Sequence, residues 1–589
     1  MAIVDKTKSL SGCLWKAVPC DGRLAEALAQ RFNLPILLSS ILVSRGVDLD
    51  GVLSFLDPKI QSLMPNPSVM KDVDKAAERI AEAIVKKEKV GIIGDYDVDG
   101  ATSSSVLKLF LENFGLMPDV HIPERDEGYG PSLMAFDNFA KQGIHFVITT
   151  DCGTTAFDVL DYAKSKNFDV IVLDHHEAEA RLPDVYALVN PKRLDESDDY
   201  PFLKYMAAVG VVFMTIVAVN RALRNRGFYQ TYPEPSLLQW LDLVALGTVC
   251  DVVPLVGLNR AFVKQGLKIM AQRQNIGLTA LADKAGLTGF PASFHLGFVL
   301  GPRINAGGRV GDASLGNKLL CCHDPMQAQN IAAQLDEFNA QRKDIENYVL
   351  EEAITMLDSR TSDYPIAFVA GKNWHQGVVG IVAGKLKERY NLPAFVMSIE
   401  EDEVKGSARS IPQVDLGALI IAAKEKGLLT KGGGHTMAAG YSLNEDKIED
   451  FRVFAGEYIK EKLGDEEIVS VLEYDGVLDV AGATLEFAES LKALEPYGAG
   501  NSEPKFVIKN VRFKNTCIVG SGHIRSILIS VQGASLKAMA FRAADNDLGQ
   551  AMLHNNNELF DVLGTLRCDV WQGRQNIQFI IDDAKRVTQ

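Results

Sequence analysis

Short apolar runs rich in β-branched residues punctuate the first half of the chain, at Val90–Ile93, 146–148 and 170–173. Runs this short predict strands buried on both faces, as in a parallel sheet. Helix and strand patterns alternate from 71 to about 200, which predicts crossover helices between those strands. Ahead of them, residues 1–70 predict a helical lead-in, with helical apolar spacing over 24–32 and 41–55 and a stop at Pro65-Asn66-Pro67. Residues 205–325 read as mostly helical. Asp324-Pro325 is a helix start, and Ile331, Leu335, Phe338, Ile345, Val349, Ala353 and Met356 continue at mostly helical spacing, with no Gly or Pro before Pro365. That predicts one helix of roughly 30 residues, about 45 Å long, whose charged face suits a link between domains. Alternation returns over 365–465, with strands at 366–369 and 394–398 around a helix at 377–390. After an acidic stretch at 461–467, short strands at 505–511, 524–531, 538–541, 560–566 and 577–581 predict a small barrel or sandwich.

A chain of 589 residues exceeds one hydrophobic core, so roughly two to four domains are expected. The boundaries read as 1–70 for the lead-in, 71–324 for the parallel-sheet domain, 325–360 for the long helix, 361–465 for the second α/β domain and 466–589 for the β domain. With 47% hydrophobic and 23% charged residues, the composition is that of a globular protein. The longest uncharged apolar stretch, 207–219, is too short to span a bilayer. Residues 1–6 lack a secretory start, and none of the eight cysteines forms a Cys-x-x-Cys pair. The expected place is therefore the cytoplasm, with reduced thiols and no membrane partner. A net charge of −15 argues against nucleic acid at first sight, yet residues 505–589 carry eleven Lys/Arg against seven Asp/Glu. Net charge does not decide the partner.

The chemistry lies where the apolar runs end. Gly94-Asp95-Tyr96-Asp97-Val98-Asp99-Gly100, Asp151-Cys152-Gly153 and Asp174-His175-His176 each follow one of the predicted strands. Residues past the carboxyl ends of parallel strands line the ligand crevice. Five carboxylates and two histidines in one crevice repel each other unless cations neutralise them, so a metal site is the first expectation. Asp97 and Asp99, two apart, can reach one cation. Oxygen ligands alone suit magnesium or calcium, and an added histidine shifts preference towards manganese. A fourth station, Gly247-Thr248-Val249-Cys250-Asp251, closes an apolar helical stretch with a single acid. Any one of these acids taken alone is more often a helix cap; three stations at successive strand ends are not explained that way.

These four stations resemble the four motifs of the DHH phosphoesterase superfamily. Lys431-Gly432-Gly433-Gly434-His435 and Ser407-Ala408-Arg409 resemble elements of its associated DHHA1 substrate-binding domain. Glu124-Arg125 with Gly128-Tyr129-Gly130, the run from Gly301 through Arg303, Asn305 and Gly308 to Arg309, and Trp374-His375-Gln376-Gly377 narrow the likeness to the RecJ family of single-strand-specific 5′-to-3′ DNA exonucleases. The likeness covers essentially the whole chain. It implies an α/β fold: a parallel-sheet DHH domain joined by a long helix to a smaller α/β DHHA1 domain, plus a C-terminal barrel of the OB type. One departure is Ile93-Gly94 before Asp95, where many members carry His-Gly.

The resemblance implies metal-dependent phosphodiester hydrolysis to 5′-mononucleotides, in repair and recombination, with two divalent cations, Mn2+ or Mg2+. Asp97, Asp99, Asp151, His175 and Asp251 are the implied ligands, with Asp99 and Asp151 shared between cations. Asp174 is expected to orient an imidazole, His176 to meet the scissile phosphate or donate to the leaving oxygen, and Asp95 to support the ligand set. Arg125, Arg303, Asn305, Arg309, Ser407, Arg409, Gly433, Gly434 and His435 are the implied phosphate holders. Phe506, Phe513 and Trp571 are candidates for stacking on bases, and core packing is the alternative for them. The expected partners are single-stranded DNA, a helicase and a single-strand-binding protein, around a monomer. Two rival readings share the motifs: a phosphatase of short oligonucleotides, and a catalytically silent scaffold.

Overall fold

Two short strands absent from the apolar pattern open the chain. β1 (Val4–Asp5) pairs antiparallel with β2 (Leu14–Ala17). The computed structural model describes every residue except 1–3, 6, 126, 360–362, 401–402, 465–467, 572–573 and 588–589. α1 (Gly22–Phe32) begins at Asp21, whose side chain accepts from the Arg23 and Leu24 amides. The single helix expected over 41–55 is two: α2 (Ile36–Ser44) and a short Val52–Leu56 helix. Between them Asp48 Oδ1 accepts from the amides of Asp50 and Gly51, and this local bond competes with helix continuation.

The parallel sheet follows. Its strands are β3 (Val90–Ile93), β4 (Asp119–His121), β5 (Phe146–Thr150), β6 (Asp169–Leu173) and β7 (Ala187–Val189), and α3 (Val98–Glu112) leaves β3. The order is β4-β3-β5-β6-β7, with all neighbours parallel. From β3 the chain crosses to one side for β4 and to the other for β5. The order therefore reverses between β3 and β5, the place where such sheets open a crevice. Every residue of β3, β5 and β7 is buried, which explains why these strands read as unbroken apolar runs. α4 (Ala208–Asn225) and α5 (Leu241–Cys250) pack on α3. By length and composition alone α4 is long and apolar enough to cross a membrane, more than the 207–219 stretch suggests, and 78% of its span is buried inside the protein.

The chain forms two compact units: 1–308, 312–335 and 471–589 make one, and 309–311 with 336–470 the other. The division falls inside α6 (Pro325–Asp358), a 34-residue helix. In the second unit β8 (Ala367–Lys372), α7 (Gln376–Tyr390), β9 (Ala394–Glu400), β10 (Glu403–Arg409), β11 (Lys431–His435) and β12 (Ala438–Asn444) build a sheet of order β11-β12-β10-β9-β8. Only β8 and β9 are parallel. The triple glycine thus lies in an edge strand. The acidic stretch at 461–467 lies partly outside the described residues.

In the C-terminal β domain, β13 (Val471–Tyr474) returns to pair in parallel with β2. β14 (Gly476–Val477), β15 (Phe506–Val519), β16 (His523–Ser530), β17 (Ser535–Ala540), β18 (Phe560–Trp571) and β19 (Arg574–Arg586) follow in the order β14-β15-β16-β17-β19-β18. Pairing of β15 with β18 closes the barrel. Phe506 and Phe513 are in its core, so neither stacks on a base; the Trp571 side chain lies outside what is described. The same core holds Leu28, Leu38, Ile41, Leu42 and Val52. α1, α2 and the Val52–Leu56 helix thus bury apolar faces on the barrel.

Candidate metal centre

Three carboxylates sit on the turn from β3 into α3. Asp97 is the N-cap of α3 and accepts from the Gly100 amide at 3.0 Å, so the bland cap role holds for it alongside any other. Asp99, 1% exposed, points at the start of α4, where its oxygens accept from the Ala208 and Val209 amides at 2.6 and 3.0 Å. A helix N-terminus stabilises a buried anion in this way. α5 comes just as close: a Cβ on Gly247 would lie 2.9 Å from Asp99 Oδ1 and 2.3 Å from the Thr102 hydroxyl. Only glycine allows that approach, which places Asp251, the C-cap of α5, at the same crevice.

Asp151 follows β5 in the left-handed region, φ 64°, an uncommon conformation for a residue with a Cβ. Its amide donates to Leu173 O, and its carbonyl accepts from the Tyr129 hydroxyl at 2.8 Å. His175 and His176 follow β6. His175 Nδ1 lies 3.0 Å from Met206 O, which makes Nδ1 the protonated nitrogen and leaves Nε2 a bare lone pair. That Nε2 is 3.3 Å from Asp151 Oδ1 and 3.8 Å from Asp99 Oδ2, and Asp251 Oδ2 is 3.6 Å from the ring's Nδ1. Asp174 does orient an imidazole, but that of His176: Oδ1 meets His176 Nδ1 at 2.8 Å, while Oδ2 accepts from the Thr154 amide. The His176 side chain is 47% exposed and faces the crevice mouth.

Candidate ligand atoms from Asp99, His175 and Asp251, from Asp95, Asp97 and Asp151, and from Asp151, His175 and His176 lie within 4.8 Å of one another in each set. Among the described residues, Asp95 Oδ1, Asp151 Oδ1 and His175 Nε2 are buried without a hydrogen-bond partner. Most buried polar atoms in proteins are satisfied, so three unpartnered ones gathered among these carboxylates, with six others scattered through the described residues, suit the binding of a cation. The electrostatics agree. Burial, with Asp97 nearby, pushes Asp95 and Asp99 up to about 7. Burial and Asp99 push Asp251 up to about 8 and Asp151 well above the carboxylate range. Burial and the neighbouring His176 hold His175 down at about 4, so it is neutral and able to ligate. For His176 burial acts downward, but the Asp174 carboxylate outweighs it and holds the ring at about 8.

Comparison with known proteins finds three family domains along the chain. The DHH family N-terminal domain matches residues 89–248, the DHHA1 domain 363–461 and the RecJ OB domain 474–583. The single-stranded-DNA-specific exonuclease RecJ of Escherichia coli is 34% identical over 567 residues, covering 94% of this chain and 96% of the relative. That of Bacillus subtilis is 33% identical over 577 residues, covering 97% of this chain and 70% of the relative. The chain belongs to the RecJ family. A crystal structure of RecJ from Thermus thermophilus in complex with Mn2+ superposes with a TM-score of 0.80 at 26% identity, over 97% of this chain and 79% of that one. A Mg2+ complex of the same protein gives 0.74 at 25% identity, over 97% and 78%.

At the departure from the RecJ-family pattern, the Ile93 side chain is buried in an apolar cluster with Phe136, Val147 and Cys152. The phosphate-holder candidates divide between the units. In the first, Arg125 donates Nε to Gly308 O at 2.5 Å and stacks over Tyr96, Arg303 donates to Val299 O, and Asn305 lines a groove of about 840 Å3. In the second, Arg309 donates to Gly377 O at 2.8 Å at the start of α7. Arg409 donates to Ser407 Oγ at 2.9 Å, and both side chains meet α7 at Gly380. Gly433 and Gly434 lie within edge strand β11, and His435 ends it exposed. His375 caps α7 through the Gly377 amide.

Several participants escaped sequence reasoning. The amides of Ala208 and Val209 and the carbonyl of Met206 are main-chain groups with no residue signature. Phe294 and Phe298, 62% and 73% exposed and stacked at 5.1 Å, line the groove beside Cys250 and Val252, which flank Asp251. Two aromatics four apart on a helical segment gave that signal, but the spacing is equally that of a core stripe.

Proposed function

We propose that the chain is a single-strand-specific DNA exonuclease, a metal-dependent phosphodiester hydrolase working from 5′ to 3′ and releasing 5′-mononucleotides in repair and recombination. The observation that carries the reading is the set of orphaned buried ligand atoms at the switch point of the sheet, in a chain of this family. Asp97, Asp99, Asp151, His175 and Asp251 would hold two divalent cations, Mn2+ or Mg2+, with Asp95 supporting the set. Such cations supply a nucleophile at neutral pH and offset charge on the phosphoryl oxygens. His176, oriented by Asp174 and open at the crevice mouth, carries a proton at neutral pH and can donate it to the leaving oxygen.

Arg125, Arg303, Asn305, Arg309, Ser407, Arg409, Gly433, Gly434 and His435 hold phosphates. The paired Arg409 and Ser407 beside α7, with Arg309, suit a terminal phosphate, and a grip on the 5′ end sets polarity. Phe294 and Phe298 in the groove next to Asp251 take the stacking role first given to Phe506 and Phe513. We read the chain as a monomer. The free cysteines suit the cytoplasm. A single-strand substrate has to be exposed by unwinding and is covered by single-strand-binding protein, which supports a helicase and such a protein as partners.

The test is digestion of single-stranded DNA labelled at its 5′ or 3′ end, with Mn2+, Mg2+ or EDTA. Early, metal-dependent release of 5′-labelled mononucleotide, with duplex untouched, is the expected result. Activity confined to dinucleotides would move the assignment to short-oligonucleotide phosphatases, and inactivity with every metal would favour a silent scaffold.

A further inference from the structure

Tyr129 stands between two left-handed glycines, Gly128 at φ 97° and Gly130 at φ 82°, and Gly130 lies against Cys152. A loop built this way presses the tyrosine onto the turn after β5. Its hydroxyl donates to Asp151 O at 2.8 Å and lies 3.0 Å from His176 Nδ1, with the two rings edge to face at 5.5 Å. The carbonyl it meets belongs to the one candidate ligand in this crevice whose backbone is left-handed. Asp151 departs from a favoured conformation, and two hydrogen bonds oppose its relaxation: its amide to Leu173 O and its carbonyl from Tyr129.

We propose that Tyr129 is a positioning residue for the metal centre, its hydroxyl clamping the strained Asp151 turn so that Oδ1 points into the crevice, and steadying His176 beside it. Half of the Tyr129 surface remains exposed, so the ring itself is a wall of the crevice mouth rather than core. The role resembles that of groups behind metal ligands generally, where loss of an outer hydrogen bond lowers metal affinity about 10–100-fold. The inference rests on the reading of Asp151 as a ligand.

The test is calorimetric titration of Mn2+ into the metal-free full chain, wild type and Tyr129→Phe, together with thermal denaturation and steady-state kinetics on single-stranded DNA. Phe keeps the ring and removes the clamp. The expected result is an Mn2+ affinity lower by about tenfold, and a melting temperature of the metal-free protein within about 2 °C of wild type. The KM for DNA should be unchanged, with the rate recovering at high Mn2+. An Mn2+ affinity within about twofold of wild type would overturn the inference while leaving the ligand reading intact. A raised KM with unaltered Mn2+ affinity would overturn it in favour of a substrate contact. Absence of Mn2+ binding by the wild type would overturn the ligand reading and the inference with it.

Discussion

At the scale of single residues, Asp151 illustrates the conflict between stability and function in this crevice. Its carboxylate is buried against other carboxylates, and its backbone is one that asparagine adopts more readily. Asp151→Asn should therefore raise the melting temperature of the metal-free protein while lowering exonuclease turnover by on the order of 10^3 or more. Paired denaturation and digestion assays check both halves. The sign of the pH dependence follows from the same residues. Asp99 and Asp251 titrate in the fold at about 7 and 8, above their unfolded value of about 4. The fold binds their protons more tightly, so their contribution is present below pH about 4 and lost as pH rises to about 8. The metal-free protein should become less stable across that window. Mn2+ binding, which needs the deprotonated ligands, should strengthen from about pH 6 to 8 and release protons. Calorimetry at neutral pH in two buffers of different ionisation enthalpy measures that release. The ligand types were legible because each acid closes an apolar run. Which imidazole Asp174 orients was not, since two adjacent histidines differ by a single residue in their spacing from every other motif.

At the scale of elements, strands β3, β5 and β6 could be read directly because sheet burial on both faces leaves no polar position to blur the run. Strands β1 and β2 could not. They are two and four residues long, and β2 finds its parallel partner β13 more than 450 residues away, as the Lys16–Glu473 contact shows. One arginine illustrates how such distant pieces are tied. Arg260, almost fully buried, donates to the carbonyls of Phe55, Ala493, Leu494, Glu495 and Pro496. It joins the lead-in, the parallel-sheet domain and the segment entering the barrel. Arg260→Met keeps volume and leaves those acceptors unpaired, at about 1–3 kcal/mol each if they stay dry. A loss of at least about 3 kcal/mol in chemical denaturation is expected, with the metal ligands untouched.

At the scale of the whole molecule, the lead-in and the barrel share one core, with Leu28, Leu38, Ile41 and Val52 packed among Phe506, Leu528 and Phe560. A chain ending at Ser470 would strand those apolar faces in water. Limited proteolysis should then cut within residues 10–57, a segment expected to resist in the intact chain. Chelation makes the complementary prediction: EDTA should abolish digestion of single-stranded DNA while circular dichroism at neutral pH stays unchanged, because the candidate ligands are side chains past the strand ends and the strands themselves are held by backbone pairing.

Local pattern carried most of this protein. Apolar runs, their period and the acids at their ends specify strands, helices, the crevice-lining ends and a set of candidate metal ligands. Tertiary structure alone decided what those groups touch. It placed the start of α4 against Asp99, gave Met206 O to His175 and Asp174 to His176, bent Asp151 under Tyr129, and folded the lead-in onto the barrel. The physical reason is range. Periodicity reports which face of an element is buried, whereas the partner that covers it, and the lone pair left uncovered, follow from contacts between segments hundreds of residues apart.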